Sequence, residues 1–296
     1  MPELPEVETI RRQLQRLIVG KKIREVKVNL PKLVKLPSGK FRKTIIGATV
    51  KEVRRRAKIL IVELSNTRAL AKGGDEALSS STGWSLLIHL KLSGRLIFRK
   101  KGEELQPEDI KWNHLIYYFS DGSRLFHNDL RQFGYVKLVK SGELLDFFKK
   151  EKLGPEPLKK NFSFDEFLAI LKKKPKAKIK QFLMDQKNIA GIGNIYSDEI
   201  LFFARVHPLR KVQELKPYEI KKVFEGIRKI LLEAIRFGGS SVRDFVDALG
   251  KEGGYVPKLK VYGREGEKCS RCRAIIKRIK IGSRSAHFCP KCQKLC

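Results

Sequence analysis

The sequence predicts an α+β protein: an N-terminal β-sandwich carrying an N-terminal helix, then a helical domain, then a C-terminal β-hairpin. Three observations lead there. Residues 1–140 hold many short β-rich runs divided by turn signals, residues 159–237 show helical periodicity, and all five cysteines lie in the last 28 residues. The expected boundaries are 1–140 for the sandwich, 141–158 for a linker, 159–262 for the helical domain and 263–296 for the hairpin. A length of 296 residues suits about two domains, and 42% apolar residues suffice for a sizeable core, which excludes general disorder.

The first element is a helix, because Val7, Ile10, Leu14 and Leu17 fall at helical spacing. Pro5 and the acids Glu6 and Glu8 suit its first turn, and Gly20 its end. Strands are expected at 23–30, 45–54, 59–64, 85–92, 96–99, 115–120, 124–127 and 135–139, with Asp121-Gly122 as a hairpin turn. Asn66–Gly83 is polar and reads as an inserted loop. After Leu153-Gly-Pro-Glu-Pro-Leu158 the period becomes helical, giving helices at 164–171, 179–186, 194–204 and 217–237. In the last of these, Ile220, Val223, Ile227, Ile230, Ala234 and Phe237 share one face, Pro217 starts it and Gly238-Gly239 stops it. The Gly- and Ser-rich stretch 239–262 reads as a flexible loop leading to the hairpin.

Four cysteines form Cys269-x2-Cys272, a gap of 16 residues, then Cys289-x2-Cys292. This is the spacing of a four-thiolate zinc site, one knuckle per pair. The intervening residues form a hairpin turning near Ile281, Gly282 and Ser283. Segment 258–296 has twelve Lys and Arg against two acids and cannot build a core alone, whereas a structural zinc contributes on the order of 10 kcal/mol to folding. Four thiolates fill a tetrahedron, so one zinc ion is expected to be structural, with no open position for catalysis. Disulfides are the alternative use of these residues. Cys296 is left over and is not counted as a ligand.

The 64 Lys and Arg exceed the 32 Asp and Glu to give a formal charge of +32. A charge of this size implies a polyanionic partner, and no single amphipathic basic helix concentrates it as a lipid-binding segment would. Nucleic acid is therefore the expected partner; a solvated, Lys-rich surface is the alternative. The longest apolar run, Ile200–Ala204, is far short of the roughly 20 residues of a membrane helix. The acidic start lacks the basic and apolar regions of a signal peptide, so a cytosolic protein is expected.

Two further motifs carry chemistry. Ala190–Tyr196 is a Gly-rich turn ahead of a helix, where backbone amides and the helix dipole suit a phosphate and Asn194 adds a side-chain contact; a plain helix–helix turn is the alternative. Met1 precedes Pro2, and its removal leaves a secondary amine with a reference pKa near 8. Such an amine is a candidate nucleophile toward an aldehydic sugar carbon, giving an iminium, with Glu3 beside it as a proton carrier; a Pro2 without any chemical role is the alternative.

These motifs occur together and in a recognisable order: MPELPEVETIRR at 1–12, RRAK at 55–58, HLKLSG at 89–94, DLRQFG at 129–134, LGPEPL at 153–158, LMDQKNIAGIGNIYSDE at 183–199, VYGREGEKC at 261–269 and the cysteine spacing. The chain thus resembles the formamidopyrimidine-DNA glycosylase (8-oxoguanine DNA glycosylase) family over nearly its whole length. The resemblance implies that the helical region is a helix-two-turn-helix module and the hairpin a zinc finger.

By that resemblance, Pro2 corresponds to the nucleophile that attacks C1′ of the damaged nucleotide, Glu3 to the acid that helps expel the base or protonates the opening sugar, and Lys58 to the proton donor in β-elimination. A phosphate contact at a strand start is the alternative or additional role of Lys58. Arg284 resembles the arginine that binds the phosphates flanking the lesion and serves δ-elimination. Leu92, Arg131 and Phe133 resemble the trio that fills the space vacated by the extruded nucleotide. Leu92 stands where methionine is frequent, and Gln132 where an arginine follows Arg131. Trp112 falls where some members have a DNA-contacting histidine, while His114 still matches. Lys176, Lys178 and Lys180 form a basic stretch facing phosphate or solvent, with Lys180 the best match. Glu6 has a helix-start role as its simpler reading.

The expected function is a bifunctional DNA glycosylase and AP lyase of base excision repair, a monomer associated with the nucleoid. It removes oxidised purines from double-stranded DNA and cleaves the strand by β,δ-elimination. The alternatives are an endonuclease VIII-like glycosylase for oxidised pyrimidines and a non-catalytic, DNA-binding zinc protein.

Overall fold

In a computed structural model that describes residues 2–65, 83–106 and 110–295, the chain opens on α1 (Leu4–Leu17). Its apolar positions Val7, Ile10 and Leu14 enter the main core, as their spacing requires. The N-cap residue is Glu3, and its backbone N–H donates to Glu6 Oε2 at 2.8 Å, so Glu6 does take the helix-start role. Residues 66–82 of the expected inserted loop, and Cys296, lie outside the described residues.

The strands are β1 (Ile23–Val28), β2 (Val50–Arg56), β3 (Ile59–Leu64), β4 (Trp84–His89), β5 (Gly94–Arg99), β6 (Asn113–Phe119), β7 (Arg124–Asp129) and β8 (Tyr135–Lys140). They form two antiparallel four-stranded sheets, in the orders β1-β6-β7-β5 and β2-β3-β4-β8. The inner faces meet in one core, where Val26, Leu96 and Leu115 of the first sheet join Val53, Leu60 and Leu86 of the second. This is the expected sandwich.

Two helices depart from the expectation. The run 45–54 is not one strand: α2 (Ser38–Ile45) ends there, and β2 begins only at Val50, after Gly47 at φ +87° turns the chain. Phe41 and Ile45, four residues apart, are the buried face of α2. The expected linker 141–158 contains α3 (Leu144–Glu151). Its Leu144, Phe147 and Phe148 pack on Ile59, Ile61 and Leu87, covering the outer face of the second sheet. Strand β3 is buried on both faces for this reason, and its side chains do not alternate in polarity.

Helices α4 (Phe164–Lys172), α5 (Ile179–Met184), α6 (Asn194–Ala204) and α7 (Pro217–Arg236) follow within two residues of their expected bounds. The C-terminal strands β9 (Lys277–Ile281) and β10 (Arg284–Phe288) pair antiparallel around the turn Gly282-Ser283.

The chain divides into two compact units, 1–151 with 238–254, and 152–237 with 255–296. Segment 238–254 thus leaves the helical region expected to run through 262, and it is not a free loop. Phe245 and Ala248 are buried in the sandwich core. The Gln13 side chain donates to Asp247 Oδ2 at 2.7 Å and accepts from Ala248 N–H at 2.8 Å. Phe98 N–H donates to the Ala248 carbonyl at 2.7 Å.

Candidate active site and metal centre

Pro2 is buried immediately ahead of α1, and Glu3 is likewise buried as its N-cap. Helix α1 packs on β2 and β3. The two-residue turn between those strands is Ala57-Lys58, with Ala57 at φ +53° and Lys58 largely buried. Arg55 supports this turn by donating from Nη1 to the Ala57 carbonyl at 2.8 Å. The same guanidinium reaches back to α1, donating from Nε to Glu8 Oε2 at 3.1 Å. Burial alone would raise the Glu8 carboxyl, but hydrogen bonds from Arg11 and Arg12 and the charges of Arg11 and Arg55 hold it below the usual range. A charge-assisted link therefore ties the helix that begins after Pro2 to the turn that carries Lys58.

The strand registers assemble the rest of this edge. Arg56 pairs with Ile59, Ile59 with His89, and His89 with Tyr135, while Gly94 pairs with Asp129 in the other sheet. The loops after β4 and after β7 are both crossovers between sheets and leave from the same end of the sandwich. They bring together Leu92, half-buried, with Arg131 and Phe133, both exposed. Phe133 is 60% exposed, an unusual position for a phenylalanine.

His89 shares this edge, although the sequence assigns it no role beyond its place in the HLKLSG motif. Its Nδ1 accepts the Lys91 N–H at 2.9 Å, and its ring stands 5.5 Å from that of Tyr135. Burial, with the charges of Lys91 and Lys58, pushes its pKa down to about 3, so the ring is neutral at pH 7. The sequence signal that marks it is its position directly before the crossover loop.

Two expected DNA contacts are placed elsewhere. His114 is buried, with its Nε2 2.9 Å from the Asp129 carbonyl, so it supports the DLRQFG loop and does not present a free ring. Lys180 is 1% exposed and donates from Nζ to Asp198 Oδ1 at 2.5 Å, an internal ion pair where a phosphate contact was expected. Lys176 and Lys178 are exposed, and Trp112 is half-buried.

Asp198 serves a second partner. Its Oδ2 accepts the His287 N–H at 2.9 Å, fastening β10 to α6. Its neighbour Glu199 accepts the backbone N–H groups of Lys260, Val261 and Tyr262 at 2.9, 3.0 and 2.9 Å. The Asp198-Glu199 pair is therefore the anchor for the C-terminal segment. Arg284 begins β10 beside the exposed turn. The Gly-rich turn ahead of α6 is stapled by Gln186, which donates to the Ile192 carbonyl at 2.7 Å and accepts from Gly191 N–H at 2.8 Å. Asn194 opens α6 with its Oδ1 buried and unpartnered, at the positive end of the helix dipole.

The Sγ atoms of Cys269, Cys272, Cys289 and Cys292 all lie within 4.8 Å of one another, with Cys272 and Cys289 at 3.4 Å and Cys269 and Cys292 at 4.0 Å. A tetrahedron of thiolates about 2.3 Å from zinc has sulfurs separated by about 3.8 Å, so the set fits one zinc ion. Phe202, Val261 and Ile276 pack around the buried pair Cys269 and Cys289. Among the described residues this is the one cluster of metal-binding side chains.

Comparison with known proteins agrees with this geometry. Residues 1–136 match the family model of the formamidopyrimidine-DNA glycosylase N-terminal domain, 153–246 that of its H2TH domain, and 266–295 that of the zinc finger found in FPG and IleRS. The formamidopyrimidine-DNA glycosylase of Heliobacterium modesticaldum is 42% identical over 295 residues, covering 99% of this chain and 100% of that protein. That of Listeria innocua is 40% identical with the same coverage. The Lactococcus lactis Fpg bound to DNA containing an abasic site superposes with a TM-score of 0.86 at 38% identity, covering 99% of both chains.

Proposed function

This chain belongs to the formamidopyrimidine-DNA glycosylase family, and we propose that it excises oxidised purines from duplex DNA and cleaves the strand at the resulting site. The observation that carries this reading is the pairing of a buried Pro2-Glu3 start with a Lys58 turn tied to the same helix through Arg55 and Glu8.

The chemistry follows from those groups. Once Met1 is removed, the Pro2 amine, directly ahead of Glu3 and α1, is the nucleophile. It attacks C1′, the base departs with a proton supplied by Glu3, and an iminium links Pro2 to the opened sugar. The iminium acidifies the adjacent carbon; loss of its proton expels the 3′ phosphate, with Lys58 as the proton donor. A second elimination, served by Arg284, expels the 5′ phosphate. Leu92, Arg131 and Phe133 occupy the gap left by the extruded nucleotide. The zinc ion holds the hairpin and takes no part in bond making. The enzyme acts as a monomer on DNA in the nucleoid; no helix among the described residues is long and apolar enough to cross a membrane.

A second substrate class has one specific support. A solved Lactococcus lactis Fpg, 37% identical to this chain with a TM-score of 0.85, is in complex with DNA containing an oxidised pyrimidine. The deciding experiment offers duplexes with 8-oxoguanine opposite cytosine, or with an oxidised pyrimidine, in the presence of borohydride. Covalent trapping on the first supports the reading, and trapping on the second alone transfers it to pyrimidines. Tight binding without trapping or cleavage on either refutes enzymatic activity.

A further inference from the structure

Asp129 is fully buried, and its two carboxylate oxygens serve two different loops. Oδ1 accepts the Ser93 Oγ–H at 2.6 Å, one residue after Leu92. Oδ2 accepts the Gly134 N–H at 2.7 Å, one residue after Phe133. Ser93 Oγ in turn accepts the Arg131 N–H at 2.9 Å. One carboxylate thus fixes the backbone beside all three residues of the void-filling trio. The approach is close enough to require glycine, since a Cβ on Gly134 would stand 2.9 Å from Asp129 Oδ2 and 3.1 Å from the His89 carbonyl.

Both loops also hold a non-glycine residue in the left-handed region, Lys91 at φ +51° and Gln132 at φ +56°. Such a conformation is disfavoured for any residue with a Cβ and persists only where its surroundings over-determine it. Gln132 lies between Arg131 and Phe133, and Lys91 directly precedes Leu92. The strained positions and the carboxylate bonds therefore coincide with the residues that must enter the helix.

From this arrangement we infer that Asp129 is a positioning residue that pre-sets the Leu92 loop and the Arg131–Phe133 loop as one unit before they enter the duplex. The inference rests on the glycosylase reading above. The physical gain is preorganisation: the wedge, the guanidinium and the ring enter while the nucleotide leaves, and ordered loops do not have to lose their freedom at that moment. A carboxylate suits the task because both of its oxygens accept. An amide of the same shape can keep its oxygen on Gly134 but can only donate to Ser93, so the charge-assisted bond to the Leu92 loop is reversed and weakened while the volume is kept.

The test uses the full-length zinc-loaded protein as wild type, Asp129→Asn and Ser93→Ala. Entry of the trio is followed by stopped-flow fluorescence of 2-aminopurine placed beside 8-oxoguanine in a duplex. Chemistry without extrusion is followed by borohydride trapping on a single-stranded oligonucleotide with an abasic site, which has no stacked base to expel and no gap to fill. Both variants are expected to slow the fluorescence step and duplex excision by roughly ten- to a hundredfold, with single-stranded trapping within about twofold of wild type. Equal loss of both activities would make Asp129 merely structural and overturn the inference, as would unchanged duplex kinetics. Ser93→Ala, which removes only one hydroxyl, decides the matter if Asp129→Asn does not fold. Failure of the wild type to trap on either DNA would instead overturn the glycosylase reading.

Discussion

Glu6 accepts the backbone N–H of Ser240 at 2.8 Å across 234 residues of sequence. The same carboxylate accepts the Glu3 N–H through its other oxygen and the Ser240 hydroxyl at 3.2 Å. One buried acid therefore fastens the start of α1 to segment 238–254. The contact is tight, since a Cβ on Gly239 would come within 2.8 Å of Glu6 Oε1, and Gly239 itself needs φ +85°.

Replacing Glu6 by alanine strands buried donors on both sides, and the expected loss of stability is about 2–3 kcal/mol. Amide hydrogen exchange checks the location: protection should fall across 238–254 and at the first turn of α1, while the amides of α6 and α7 keep theirs. Uniform loss of protection would mean that the bond is not local in its effect.

Asp198 holds Lys180 on one oxygen and His287 on the other. Asp198→Ala leaves a buried ammonium without its carboxylate and should cost about 3–5 kcal/mol in chemical denaturation. A double substitution, Lys180→Met with Asp198→Leu, removes both charges and should recover part of that loss. If the double variant is as unstable as the single one, the backbone bond to His287, and not the ion pair, is the main contribution of Asp198.

Chelation of zinc, or Cys272→Ser, removes a ligand from a hairpin that has little core of its own. Near-ultraviolet circular dichroism should lose the signal of the C-terminal segment, and DNA affinity should fall with it because the exposed Arg284 loses its support. Unchanged folding with chelator present would contradict the metal assignment.

Stability should fall as the solution is acidified from about pH 6.5. Burial lowers the His127 pKa to about 4, with His114 adding to the shift and Asp129 opposing it, and His89 is held at about 3. Between those values and the ordinary 6.5 the unfolded chain binds more protons than the folded one, so acid favours unfolding. The contribution is complete above pH 6.5 and is lost as pH falls toward 4. His207, also lowered by burial, acts in the same direction, whereas burial raises Glu199, which acts in the opposite one. Thermal melts between pH 4.5 and 8 of wild type and His127→Leu isolate one component: the variant should show a shallower slope. An identical slope would remove His127 from the account.

Whatever depends on neighbours along the chain is legible in the amino-acid order. The cysteine spacing specifies a four-sulfur cluster because each Cys-x2-Cys pair is a local turn. The period of α7 specifies its buried face, and the Gly-rich turn specifies the start of α6. The motifs also give Pro2, Glu3, Lys58 and the trio their proposed roles once the family is recognised. Contacts distant in sequence were decided by the tertiary structure alone. Composition marks 239–262 as a loose connector, yet Gln13, Glu6 and the sandwich core hold its first part, through 254. Lys180 reads as the phosphate contact of a basic stretch, whereas α6 brings Asp198 against it as a buried ion pair. Helix α3 hides in a linker because its apolar residues have meaning only against the outer face of the second sheet. The trio gathers because two ladders in different sheets end at one edge, and a strand register is a long-range pairing that no local pattern encodes.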